Sequence, residues 1–165
     1  MLIKGISDEV FGDYKKPAMQ IAFPKCSFKC DIENGCSLCQ NSQLANEPTI
    51  VYPTLDLAKR YLDNPITKAI VCGGLEPFDS HDELCNFIFV IRDIYHCDDD
   101  IVIYTGYTEE EITTKFDYVY DSIALYPNIY IKYGRYRPGQ EPHYDEVLGV
   151  KLASDNQYGK KVSKV

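Results

Sequence analysis

The apolar residues of the chain fall into two alternating patterns. Continuous apolar runs occur at Ala18 to Phe23, at Lys68-Ala-Ile-Val-Cys72 and at Ile101-Val-Ile-Tyr104. Such runs read as strands buried on both faces of a parallel sheet. Asn128-Ile-Tyr-Ile-Lys-Tyr133 gives a further strand. Between the second and third runs, Leu84, Phe87, Ile88, Ile91, Ile94 and Tyr95 repeat at i, i+3, i+4 and i+7, which predicts a helix entered through a capping box of Ser80 and Glu83. Thr108 and Glu111 form a second capping box, and three glutamates in that first turn suit the helix dipole. Thr54 is placed to cap a helix with Leu55, Ala58, Tyr61 and Leu62 on one face.

Strands alternating with helices, each strand closing in Gly or Thr-Gly, indicate repeated βα units. A closed eight-unit barrel needs about 250 residues, and this chain has 165. The expected fold is therefore α/β, an open or partial β/α barrel of about five or six units with a mainly parallel sheet. Residues 1–165 read as one domain, with 1–18 as a lead-in segment and 159–165 as a frayed tail. In such folds sites form at the C-terminal ends of the strands. That rule collects the segment after Phe23, Gly73-Gly74, Thr105-Gly106 and Gly134 on one rim.

Charge and composition narrow the function classes. A net charge of -8 without a basic stripe argues against sequence-independent binding to nucleic acid. No apolar run approaches the length of a membrane span. Seven cysteines with no leader resembling a secretion signal imply a reducing cytoplasm.

Four of those cysteines lie in Cys26-Ser-Phe-Lys-Cys30-Asp-Ile-Glu-Asn-Gly-Cys36-Ser-Leu-Cys39. Thiols at this spacing converge on one centre: a zinc ion, disulfides or an iron–sulfur cluster. Zinc sites usually set their Cys pairs a dozen or more residues apart, and an odd cysteine count disfavours disulfides. An iron–sulfur cluster held from a short loop fits best. Cys72, Cys85 and Cys97 sit in or beside apolar segments and read as small hydrophobes. His81, His96 and His143 have no partner at metal-ligand spacing.

With these residues in view, the chain resembles the radical S-adenosylmethionine enzymes, and more narrowly the small activating proteins of anaerobic ribonucleotide reductase. Cys26 and Cys30 match the first pair of that family's C-x3-C-x2-C motif, and Leu38-Cys39-Gln40-Asn41 matches its end, with six residues inserted before the third ligand. Gly73-Gly74-Leu75-Glu76-Pro77 is similar to the family's Gly-Gly-Glu-Pro segment, with Leu75 inserted. Tyr104-Thr-Gly-Tyr107 resembles a strand-end segment of the activators, and Ala153-Ser-Asp-Asn156-Gln157 their C-terminal Ser-x-Asn-Gln. The resemblance spans roughly residues 19–158.

The resemblance implies a 4Fe-4S cluster on Cys26, Cys30 and Cys39, with Cys36 as the alternative third ligand. Three cysteines leave one iron free, and S-adenosylmethionine would fill that position and be cleaved reductively to a 5′-deoxyadenosyl radical. The Gly73-Gly74 strand end would meet the methionine amino group, assisted by Glu76. Leu38 would pack near the adenine, and Tyr104, Thr105, Gly106 and Asn156 would line the far side. The implied partners are a large glycyl radical enzyme, foremost an anaerobic ribonucleotide reductase, and an electron donor such as flavodoxin or ferredoxin. Other acceptors, another glycyl radical enzyme or a small molecule, share this chemistry. A zinc- or cluster-stabilised module that docks a partner or carries electrons is the alternative from another class.

Overall fold

The computed structural model describes residues 1–165. In chain order the elements are β1 (Leu2–Ile3), β2 (Gly5–Val10), β3 (Ala18–Phe23), α1 (Lys29–Asn34), α2 (Ser42–Asn46), β4 (Ile50–Val51) and α3 (Thr54–Leu62). They continue with β5 (Ala69–Gly74), a 3-10 turn at Pro77–Ser80, α4 (His81–Phe89) running into a π-helical turn at Val90–Ile94, and β6 (Asp100–Tyr104). Last come α5 (Glu109–Lys115), α6 (Asp117–Ala124), β7 (Ile129–Tyr133), β8 (His143–Asp145), β9 (Val150–Leu152) and β10 (Tyr158–Lys161).

Six strands form one sheet in the order β10-β7-β6-β5-β3-β2. The inner pairs β3–β5, β5–β6 and β6–β7 are parallel, while β2 and β10 lie antiparallel at the two margins. The sheet is thus mainly parallel and open. It contains four parallel strands, fewer than the five or six units expected, because the chain reverses at both margins. The supposed lead-in is one of those margins: Gly5, Ile6 and Ser7 of β2 pair with Ala22, Ile21 and Gln20. At the other, the start of the supposed tail is β10, whose residues 158–161 pair with 133–130 of β7.

Side chains alternate across the sheet. Met19, Ile21, Phe23, Ile70, Cys72, Ile101, Ile103, Ile129 and Ile131 face the helices in one apolar core. Leu84, Phe87, Ile88 and Ile91 of α4 and its π-helical turn fill that core from the helix side. Each such side chain contributes about 1.5–3 kcal/mol by leaving water. The opposite face has a smaller core in which Ala18, Ala69, Val71 and Val102 are covered by Tyr14, Leu148, Val150 and Leu152. No helix is long and apolar enough to cross a membrane.

Two helices differ from expectation, and Thr54 is the first residue of α3 rather than its cap, a position Pro53 takes. The Ser80 side chain makes no cap; its Oγ is buried without a partner. The turn that Pro77 opens is capped instead by Glu76, which accepts the Phe78 N–H. In α3, Leu57, Ala58 and Tyr61 are buried while Leu55 and Leu62 are exposed, so the buried face is turned from the one the sequence suggested. The Thr108–Glu111 capping box is present in full.

Candidate iron–sulfur site

β3 delivers the cysteine loop to the C-terminal edge of the sheet. Phe28, at φ +52°, is in the left-handed region that bulky residues seldom adopt, and its N–H donates to Cys26 Sγ at 3.2 Å. Cys30 then enters on α1, which stops at Gly35 with φ +67°. Asp31 turns the inserted residues back: its Oδ1 accepts the N–H groups of Leu38 and Cys39, both at 2.9 Å. Asn41 Nδ2 donates to Gly74 O at 2.6 Å, joining the end of the motif to the end of β5. Ser27 N–H donates to Asp79 Oδ2 at 2.7 Å, and the Tyr107 hydroxyl donates to the other Asp79 oxygen at 2.6 Å.

These ties leave Cys26, Cys30 and Cys39 on the wall of one cavity of about 570 Å³ on the face of the smaller core. Leu38, Gly73, Gly74, Glu76 and residues 104–106 line the same cavity. Cys36 is exposed on the inserted loop and lies outside it. Asn156 is also outside: its Nδ2 donates to Arg135 O at 2.9 Å, and its neighbour Gln157 lines the cavity in its stead.

The glycines divide by cause. Gly74 has φ +83°, and a Cβ there would stand 2.6 Å from Ala22 Cα, so the close strand pairing itself demands glycine. At Gly73 a Cβ would meet only Tyr104 Cβ at 3.7 Å, which leaves an open approach to the backbone. A Cβ at Gly106 would stand 3.6 Å from Cys30 Sγ and 3.7 Å from Glu76 Oε2, which puts this strand end against the thiols.

The thiols fit a cluster chemically. Burial pushes Cys26 up to about 12, with the charges of Glu76, Asp79 and Cys39 adding to it. Burial also raises Cys30, again with a contribution from Cys39, while Arg135 opposes it. A metal cation displaces the protons of thiols held neutral in this way, and the protons leave to solvent. The three cysteines line one cavity, and no three His, Cys, Asp or Glu side chains stand close enough together to hold a single metal ion. A cubane takes each ligand on a different iron.

Two buried charges near the thiols have no counterpart in the sequence motifs. Lys132 projects from β7 beside Tyr104; its Nζ donates to Gly134 O at 2.9 Å, and burial lowers it to about 8. Arg135 makes a bidentate pair with Glu111 at 2.7 and 2.8 Å and reaches Glu33 of α1 at 3.3 Å. The pairing with Arg135 holds the Glu111 carboxyl down at about 2. Lys132 could have been noticed as the one charge in an apolar strand.

Glu76 is 5% exposed. Its Oε1 accepts the Thr105 hydroxyl at 2.8 Å and the Phe78 N–H at 3.1 Å, and its Oε2 accepts the Gly106 N–H at 2.9 Å. These donors favour the carboxylate, yet burial outweighs them and raises the group to about 7.

The model of one protein family, described as a 4Fe-4S single cluster domain, matches residues 19–143. That span runs from β3, which leads into the cysteine loop, to the start of β8. None of the curated proteins and none of the solved structures compared matches the chain.

Proposed function

The chain belongs to the 4Fe-4S single cluster domain family, and on that premise we propose that it is a radical S-adenosylmethionine enzyme. Cys26, Cys30 and Cys39 would hold the 4Fe-4S cluster, which, with one iron free, supplies the electron for reductive cleavage of S-adenosylmethionine. One observation carries this reading: three of the four clustered thiols face a single cavity at the C-terminal ends of the parallel strands, and Cys36 does not. A fourth cysteine ligand would close the position that a cofactor needs, by the logic that separates structural from catalytic metal sites.

The residues around the thiols have defined work in this reading. Gly73 offers its bare backbone to the amino acid end of the cofactor. Glu76, held by three donors, fixes the Thr105-Gly106 strand end beside the same region. Leu38 gives apolar cover for the adenine. Lys132, also on the cavity wall, places a positive charge there suited to a carboxylate. The radical would be passed to a glycyl radical enzyme, foremost an anaerobic ribonucleotide reductase, with flavodoxin or ferredoxin as reductant in the cytoplasm.

Anaerobic reconstitution with iron and sulfide tests the reading. A four-iron cluster should form, its electron paramagnetic resonance spectrum should change on addition of S-adenosylmethionine, and dithionite should release methionine and 5′-deoxyadenosine. A cluster indifferent to S-adenosylmethionine would make the chain an electron-carrying module instead. Tight zinc with no cluster would make it a docking domain.

A further inference from the structure

Arg135 stands two residues beyond the end of β7, and its side chain is only 9% exposed. It does not line the large cavity. It lines instead a gap of about 20 Å³ together with Cys26, Cys30 and Tyr107. A Cβ built on Gly106 would stand 3.6 Å from Arg135 Cγ and 3.6 Å from Cys30 Sγ, so the arginine stem and the thiol meet at one bare glycine. The guanidinium lies over the Tyr107 ring, 5.7 Å from its centre.

Two helices hold the guanidinium there. Glu111 of α5 accepts from both of its terminal nitrogens, and Glu33 of α1 faces Nε at 3.3 Å. Glu111 is itself fixed: its Oε2 accepts the Thr108 N–H at 2.9 Å, and its Oε1 lies 3.4 Å from Lys29 Nζ. Lys29 and Glu33 flank Cys30 on α1, so the network ties the helix that carries this thiol to the end of β7 and the start of α5. Lys29, 35% exposed, keeps much of its charge in water; Arg135 does not. A buried ion pair is often no more stabilising than apolar side chains of the same volume. Stability therefore gives no reason for a fixed cation beside Cys30, whereas a charge that acts on the thiolate does.

We propose that Arg135 is a positioning residue that acts through Cys30 and sets the reduction potential of a cluster bound there. Reduction adds one electron, taken from an external one-electron donor, and no bond of the chain forms or breaks. A guanidinium held beside the thiolate favours the more negative, reduced state. It stays charged at every working pH. Glu111 keeps the guanidinium in place and opposes it with its own negative charge. This rests on the reading that Cys30 is a cluster ligand, and it does not require cleavage of S-adenosylmethionine.

The test is a redox titration of the full reconstituted chain with dithionite, without S-adenosylmethionine, followed by the electron paramagnetic resonance signal of the reduced cluster. Arg135→Gln should make reduction about tenfold less favourable, a midpoint lower by about 59 mV for one electron. Arg135→Lys, which keeps the charge, should recover most of that shift. Glu111→Gln, still a capping-box residue, should move the midpoint the other way. Lys29→Gln should move it less than Arg135→Gln does. A merely structural role would cost iron in Arg135→Gln and Glu111→Gln alike and leave the midpoint of the remaining cluster in place. An unchanged midpoint in Arg135→Gln, or shifts of one sign in Arg135→Gln and Glu111→Gln, would overturn the assignment. If Arg135→Gln takes up no iron, a higher midpoint in Glu111→Gln with Arg135→Lys near the wild type supports it, and any other result overturns it. Cleavage of S-adenosylmethionine is scored separately. Cleavage with no shift in Arg135→Gln removes this role and leaves the enzyme; the expected shifts without cleavage do the reverse, and a chain that forms no cluster loses both.

Discussion

Asp31 holds Cys39 in place: its Oδ1 accepts the Cys39 N–H at 2.9 Å, from a helix that also carries Cys30. The same oxygen takes the Leu38 N–H, so one carboxylate closes the inserted loop onto the first pair of thiols. Asp31→Ala should leave the fold intact but let Cys39 wander. Two charge-assisted bonds to a half-exposed group are worth about 1 kcal/mol each, so a chelator should strip the cluster about tenfold faster or more. Asp31→Asn, which keeps one acceptor oxygen, should recover most of that loss. Iron release followed by absorbance gives the rate.

The thiols themselves should sort by position. Cys26→Ala, Cys30→Ala and Cys39→Ala should each fail to retain a four-iron cluster, whereas Cys36→Ala, exposed and outside the cavity, should load iron like the wild type. Iron and sulfide per chain after reconstitution decide this. Loss in Cys36→Ala with retention in Cys39→Ala would exchange their roles.

Adjacent glycines should give opposite results. Gly74→Ala places a Cβ 2.6 Å from Ala22 Cα at φ +83°. Backbone cannot yield there, so thermal or urea unfolding should show a loss of about 2 kcal/mol or more. Gly73→Ala, with 3.7 Å to its nearest neighbour, should unfold like the wild type while weakening the response of the cluster to S-adenosylmethionine. Equal destabilisation by both would make Gly73 a packing residue.

Glu76 should leave a mark on the pH dependence of stability in the metal-free chain. Its carboxyl is raised by burial from 4.5 to about 7, so between those values the folded chain keeps a proton that the unfolded chain has released. The contribution is complete below about pH 4.5 and is lost as the pH rises through about 7, a change of roughly 3 kcal/mol. Glu76→Gln should flatten urea midpoints across that window. It should also cost about 1–3 kcal/mol at pH 8, since its NH2 group must face a backbone N–H that now lacks an acceptor.

The interior of the fold could be read from the sequence because its residues are buried on both sides. Ala18–Phe23 has the bounds expected of it, and β6 and β7 begin within one residue of theirs. The margins could not. Ser7-Asp8-Glu9 and Lys160-Lys161 look like solvated loop because charged side chains suit unpaired strand edges. The Ser80 box failed because Glu76, four residues earlier, had already capped a turn opened by Pro77. For the site, the contiguous motifs were visible, whereas Lys132 and Arg135 reach the thiols only through sheet register and strand-end geometry. The Asp31 hook depends on how the inserted loop folds back, which no spacing reveals.

The three crossovers between parallel strands are unequal: residues 24–68, 75–99 and 105–128. The longest contains all three proposed cluster ligands, so it bears the greatest closure entropy and the metal centre together. Iron uptake would then act as a brace on the slowest-closing connection of the sheet, and metal supply would govern how much of the newly made protein reaches its final shape.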